Sequence, residues 1–186
     1  MARSLKVGIE GGQVTRVTLS EAEEAVVRHL VAGEDPDLDA AARSTIHFRK
    51  TRAYPSCQLH FVSYRTPAGS PRDLALRTWQ NPDGAWSVGV IGGGAGSPAR
   101  SRPWVNLVAQ WNAELFAGGG EVMGDGAEVA RSVRLIFADG AITEDTVDEG
   151  MVLFFVEPGV VVPAEVLILD ERNNVLNSYD EYLAFI

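Results

Sequence analysis

Four groups of residues carry side chains able to do chemistry, and their spacing limits what each can do. Cys57-Gln58-Leu59-His60 has the C-x-x-H spacing of some metal half-sites. In an extended strand, however, Cys57, Leu59 and Phe61 share one face, while Gln58, His60, Val62 and Tyr64 share the other. Thiol and imidazole then point apart and cannot hold one ion without a bulge. Zinc asks for about four ligands, and beyond this pair the chain offers only His29 and His47. We therefore expect no metal and no cofactor.

The densest basic stretch is Arg43-Ser44-Thr45-Ile46-His47-Phe48-Arg49-Lys50-Thr51-Arg52. If it is extended, His47 and Arg49 share a face, and Lys50 and Arg52 share the other. His47, Arg49, Lys50 and Arg52 are the candidate anion-binding residues, with charge-assisted hydrogen bonds available for a phosphate or a carboxylated metabolite. The plainer account, which the sequence favours, is an edge strand whose cations discourage aggregation.

Val90-Ile91-Gly92-Gly93-Gly94-Ala95-Gly96-Ser97-Pro98-Ala99 satisfies a loose G-x-G-x-x-A pattern after a strand-like run. A dinucleotide fingerprint works by opening a helix onto the pyrophosphate. Pro98 fits a first helical turn, but Pro103 falls where a helix interior needs an N–H. The stretch instead predicts a flexible crossing between two β regions, with a boundary near residues 92–103. Gly118-Gly119-Gly120 and Gly124-Asp125-Gly126 predict another loop. The acidic group Glu144, Asp145, Asp148 and Glu149 holds enough carboxylates for glycoside hydrolysis. It sits around a hairpin connection, where carboxylates are ordinarily solvated. No nucleophile elbow, H-E-x-x-H or P-loop is present, and no catalytic residue is assigned.

The elements that must position these groups are mostly strands. One helix is expected over about 18–32. Thr18-x-x-Glu21 and Ser20-x-x-Glu23 are alternative capping boxes, Ala22, Ala25, Val26, His29 and Leu30 recur at helical spacing, and Gly33 suits the end. Residues 5–17 suggest a hairpin around Gly11-Gly12, and Asp35–Ala42 a second short helix. After residue 43 helical periodicity stops. Strands are predicted at Ile46–Phe48, Cys57–Tyr64, Leu74–Gln80, Ala85–Val90, Val105–Trp111, Val133–Phe137, Ile142–Val147, Met151–Val156, Ala164–Leu169 and Val175–Tyr179. Asn81-Pro82-Asp83-Gly84 is a hairpin connection by its turn chemistry. Met151–Val156 is apolar on both faces, which predicts a central strand covered on both sides, with the helix a candidate cover. The alternative is a protein–protein contact.

No crossover helix is available for a parallel sheet, so the fold class is mainly β: an antiparallel β-sandwich with one N-terminal helix. A helix packed on an antiparallel sheet is the alternative. The organisation expected is an α+β region over 1–95 and a sandwich-like region over 104–186, or one continuous domain. From about Trp104 to Tyr179 the strand rhythm resembles an immunoglobulin-like module, without a Cys-Trp-Cys core signature. That resemblance is one of rhythm and implies no activity.

The net charge is −9 over 186 residues, which argues against general nucleic-acid binding. The charge is also segregated: residues 40–103 are net basic, whereas 1–39 and 104–186 are net acidic. Segments of opposite sign are thus expected to pack together or to meet across an oligomer contact. No apolar run approaches the ~20 residues of a membrane helix. Met1–Glu10 shows no signal pattern, and a lone Cys57 suits a reducing compartment, so a cytoplasmic location is expected. Leu183, Phe185 and Ile186 are apolar where a chain terminus is ordinarily polar, so they are expected to dock on the protein's own sheet. The alternative is that they are presented to a partner, which makes them the candidate partner contact. Taken together, the sequence predicts a non-catalytic binding or interaction protein with a protein partner or a second copy. The alternative is a small enzyme or ligand-binding protein holding an anion at residues 43–52.

Overall fold

In the computed structural model, which describes residues 5–10, 13–17, 19–34, 39–94, 101–112, 114–157 and 163–180, the chain opens with an antiparallel hairpin. Strand β1 (Leu5–Glu10) pairs with β2 (Gln13–Val17). Helix α1 (Glu21–Ala32) follows, and of the two possible capping boxes the second is used. The Ser20 hydroxyl accepts the Glu23 N–H at 3.2 Å, while the Glu23 carboxylate accepts the Ser20 N–H at 2.8 Å. Gly33, at φ 62°, ends the helix in the left-handed region that favours glycine. Of the second helix expected at 35–42, residues 39–42 carry none, and 35–38 lie outside the described residues.

Four strands then form one sheet in sequence order: β3 (His47–Ala53), β4 (Gln58–Arg65), β5 (Pro71–Gln80) and β6 (Trp86–Gly94). The β4–β5 and β5–β6 pairs are antiparallel. Asn81–Gly84 makes the predicted turn, with Asn81 N–H donating to the Ala85 carbonyl at 2.8 Å. Val26, Val27 and Leu30 of α1 join Val62, Tyr64, Leu74 and Leu76 of the sheet in one buried cluster.

The rest of the chain builds two more antiparallel sheets. The strands are β7 (Trp104–Trp111), β8 (Phe116–Met123), β9 (Ser132–Phe137), β10 (Ile142–Thr146), β11 (Met151–Val156), β12 (Pro163–Leu169) and β13 (Val175–Tyr179). One sheet has the order β11-β8-β7 and the other β10-β9-β12-β13. Their inner faces share a single core. Val105, Phe116, Val152 and Phe154 come from the first sheet, and Val133, Leu135, Phe137, Val166 and Ile168 from the second. Phe116 meets Phe137 edge-on at 5.3 Å between ring centroids. The fold is mainly β, with antiparallel sheets and, among the described residues, one α-helix. By contacts the chain divides into two compact units, 1–49 with 53–95 and 96–186 with 50–52. The short segment Lys50–Arg52 thus counts with the two-sheet unit.

Three expectations need correction. Gly118–Gly120 is no loop but the middle of β8, paired on both sides. The reason is closeness: a Cβ on Gly120 would lie 2.5 Å from the Asn106 carbonyl oxygen. Gly92–Gly94 likewise continues β6, opposite Ala75, Leu74 and Asp73, whereas 95–100 lie outside the described residues. Finally, Met151–Val156 is buried as expected but is not central. Among the described residues, strand β11 stands at the end of its sheet with β8 as its strand neighbour, and α1 packs on β5 and β6 instead.

Candidate functional site

An end strand that is apolar on both faces still has backbone N–H and C=O groups to satisfy along its outer edge. In β11 these groups meet side chains rather than another strand. Alternation puts Lys50 and Arg52 on one side of their segment, as the sequence predicts, and both converge on Asp145 of β10. Asp145 is 5% exposed, and the Lys50 side chain is 6% exposed. Asp145 Oδ2 accepts the Leu153 N–H at 2.7 Å and lies 2.8 Å from Lys50 Nζ. Its Oδ1 is bound by the Arg52 guanidinium. Lys50 Nζ also donates to the Thr146 carbonyl, reaches the Met151 carbonyl at 3.3 Å and pairs with Asp148 at 3.0 Å. Arg52 Nη1 reaches the Glu144 and Leu153 carbonyls at 3.3 and 3.4 Å.

A cleft of about 400 Å³ lies beside this cluster, lined by Lys50–Arg52, Glu144–Thr146 and Asp148. Its charges are matched from within. Lys50 Nζ has four oxygens around it, those of Thr146, Met151, Asp145 and Asp148. Both Asp145 oxygens are engaged, Oδ2 by Lys50 and the Leu153 N–H and Oδ1 by Arg52. Glu144 pairs across the β9–β10 ladder with Arg134 at 2.8 Å. A hydrogen bond from Ser132, and then Arg134, hold its carboxyl below the usual range. What the arrangement does is clamp the edge of β11 to that of β10.

Of the four candidate anion ligands, the structure joins Lys50 and Arg52 and leaves the other two elsewhere. His47 is exposed, Arg49 is half-buried, and both belong to the first unit. Glu144, Asp145 and Asp148 each hold the cationic partner just described rather than facing one another as a catalytic pair. Cys57 is buried, and His60, fully buried, lies 3.0 Å from the Thr78 hydroxyl with Phe48 edge-on at 5.6 Å. Burial pushes His60 down to about 4 from 6.5, against a smaller opposing influence of Glu23. Among the described residues, no group of three His, Cys, Asp or Glu side chains is placed to hold a metal ion. Leu183, Phe185 and Ile186 lie outside the described residues.

Sequence reasoning missed a second seam on the opposite flank of this unit. Strand β7 ends its sheet, and β13 ends the other. The Tyr179 hydroxyl accepts the Val105 N–H at 2.8 Å, and Asn177 Nδ2 donates to the Pro103 carbonyl at 2.8 Å. The outward direction of Val105 follows from the ladder. Its partner Val122 sends its own N–H to Gly150, away from β7, so Val105 faces away from β8. By alternation Leu107 and Ala109 also face outward. Tyr179 and Asn177 bind that edge at residues 103–105. Burial falls along the strand, from Trp104 and Val105 buried, through 106–109 half-buried, to Gln110 and Trp111 exposed. Only hydroxyl and amide side chains on alternate positions of a terminal strand could have hinted at this, and such residues are common in strands. No protein-family model, no curated protein and no solved structure matches this chain.

Proposed function

We propose that the chain is a non-catalytic interaction protein that receives an extended polypeptide segment along the outer edge of β7. The observation behind this is that, among the described residues, β7 has a strand neighbour on one side only. The outward backbone groups of Leu107 and Ala109 would serve an added strand as donors and acceptors, and alternate side chains give a partner apolar contacts. Leu107 and Ala109 are only partly buried against the core, so an added strand would complete their burial. A protein partner or a second copy fits this edge, and the net charge of −9 disfavours a nucleic acid. Among the described residues, no helix is long and apolar enough to cross a membrane. The lone cysteine, buried, supports a cytoplasmic setting. An anionic ligand at Arg49, Lys50 and Arg52 has less support, because Asp145 and Asp148 already match Lys50, and Asp145 matches Arg52.

The test is a displayed library of extended peptides selected on the full chain and on Ala109→Pro. Proline at an outward-facing position removes one edge donor and leaves the β7–β8 ladder intact. Peptides that bind the parent and lose affinity at least about tenfold for Ala109→Pro, or about 1.4 kcal/mol, support strand addition. Selected peptides indifferent to Ala109→Pro, or none at all, overturn it.

A further inference from the structure

We propose that β10 and β11 are the arms of one hairpin, held apart by Lys50, Arg52 and Asp145 and built to pair once that wedge is released. This goes beyond the strand-accepting edge of β7 and does not depend on it. The hairpin begins as an ordinary one. Asp148 and Met151 exchange both backbone hydrogen bonds, at 3.1 and 2.7 Å, around the two-residue turn Glu149-Gly150. Both turn residues have positive φ, 48° and 79°, as a tight hairpin turn requires. Past that pair the arms part. Strand β10 continues beside β9, and β11 beside β8.

The backbone groups that face the gap are those a continued ladder would use. Val147 gives its N–H to the Arg131 carbonyl on the β9 side, so Glu144 and Thr146 turn their groups away from β9. Gly150 accepts the Val122 N–H on the β8 side, so Leu153 and Phe155 turn theirs away from β8. Counting from Asp148 with Met151, Thr146 falls opposite Leu153 and Glu144 opposite Phe155. The inner side chains agree with this register. Val147, Val152 and Phe154 share one core, so 147 would face 152 and 145 would face 154. Asp145 is the exception, because closing the arms on its carboxylate would strand a charge against Phe154. Lys50, Arg52 and the Leu153 N–H hold that carboxylate in the gap instead. The same cations take the Thr146, Glu144 and Leu153 carbonyls. Released, the arms would join the two sheets into one, in the order β7-β8-β11-β10-β9-β12-β13. Its end strands already meet through Tyr179 and Asn177. The wedge thus sets whether this unit is two sheets or one.

The test is NMR on the full chain carrying Lys50→Met with Asp145→Leu, which removes the latch and leaves no lone buried charge. Pairing brings the Cα atoms of residues 145 and 154 to about 4.5 Å, and their α-protons then give a strong nuclear Overhauser contact. The Thr146 amide gains the Leu153 carbonyl as acceptor and exchanges at least about tenfold more slowly than in the parent. We expect the contact in the variant and not in the parent. A folded variant without it overturns the proposal. The contact at full strength in the parent overturns it too, since the wedge would then hold nothing apart. If the double variant does not fold, Asp145→Asn decides. It keeps the size of the side chain and an acceptor for the Leu153 N–H, and loses only the charge. A fraction of its molecules should show the same contact, with slower exchange at Thr146. A folded Asp145→Asn with neither sign overturns the proposal.

Discussion

At the β10–β11 seam a lysine, an arginine and an aspartate surround the strand edge, whereas at the β7–β13 seam a phenol and a carboxamide do the same task. Both seams join the end strand of one sheet to the end strand of the other, and both use side chains to bind exposed backbone groups. They differ in what they demand. Each buried ion costs several kcal/mol of desolvation, and its partners offset this only while the set is complete. A neutral hydroxyl or amide costs far less to bury and far less to lose. The charged seam covers the Leu153 N–H and the Met151 and Leu153 carbonyls, in the first half of β11. Among the described residues, the neutral seam reaches β7 at Pro103 and Val105.

The sharpest way to break this comparison is to remove the centre of the charged seam. Asp145→Ala leaves Lys50 with Asp148 alone, Arg52 without its carboxylate and the Leu153 N–H without an acceptor. We expect a loss of about 3–5 kcal/mol of unfolding free energy in urea titration. Replacing the pair together, as Lys50→Met with Asp145→Leu, is expected to recover much of that loss, because no lone buried charge remains. A loss below about 1 kcal/mol for Asp145→Ala would place the cluster with solvated surface pairs.

How far the sequence foretold these seams depends on the range of the contact. Alternation placed Lys50 and Arg52 on one face, because that rule needs only neighbouring residues. The segregation of charge foretold that basic and acidic segments would meet, but not that Asp145 would be the partner, ninety-odd residues away. The capped helix, the Asn81–Gly84 turn and most strands were legible for the same local reasons. Gly118–Gly120 misled because glycine marks both loops and crowded strands. Only the neighbouring strand, with Asn106 pressed against Gly120, decides which. Met151–Val156 reads as central because an unbroken apolar run ordinarily goes with strand neighbours on both sides. Its edge is instead satisfied by side chains from elsewhere, which no periodicity records.

Acid titration sharpens the comparison by separating the seam from a histidine. His60 is held down to about 4 by burial, from 6.5 when free. On the acid side, the unfolded chain takes up a proton that the folded chain refuses. Stability from this residue is therefore full above pH 6.5 and declines as pH falls towards 4. The loss over that window is on the order of 3 kcal/mol. His60→Gln should flatten the slope there. A slope that persists in His60→Gln points to carboxylates, among them those of the charged seam.

Gly120→Ala acts on the strand beneath the neutral seam. The new methyl would meet the Asn106 carbonyl oxygen and Val105 Cγ1, and β7 must shift to admit it. A cost of about 1–3 kcal/mol is expected, with faster amide exchange at Val105 as the seam loosens. If stability fell while Val105 kept its protection, β7 would be held by its ladder and not by Tyr179.

Tyr179→Phe is the smallest change and the closest counterpart of Asp145→Ala. It keeps the ring against the core and removes only the hydroxyl that binds the Val105 N–H. About 1 kcal/mol should be lost, with little dependence on added salt because neither partner carries a charge. The Val105 amide should exchange several-fold faster, while the Leu153 amide, held by Asp145 in the other seam, keeps its rate. A loss as large as that of Asp145→Ala would mean that closing a strand edge sets the cost whatever the chemistry. The charged and neutral seams would then differ only in how many residues each closure spans.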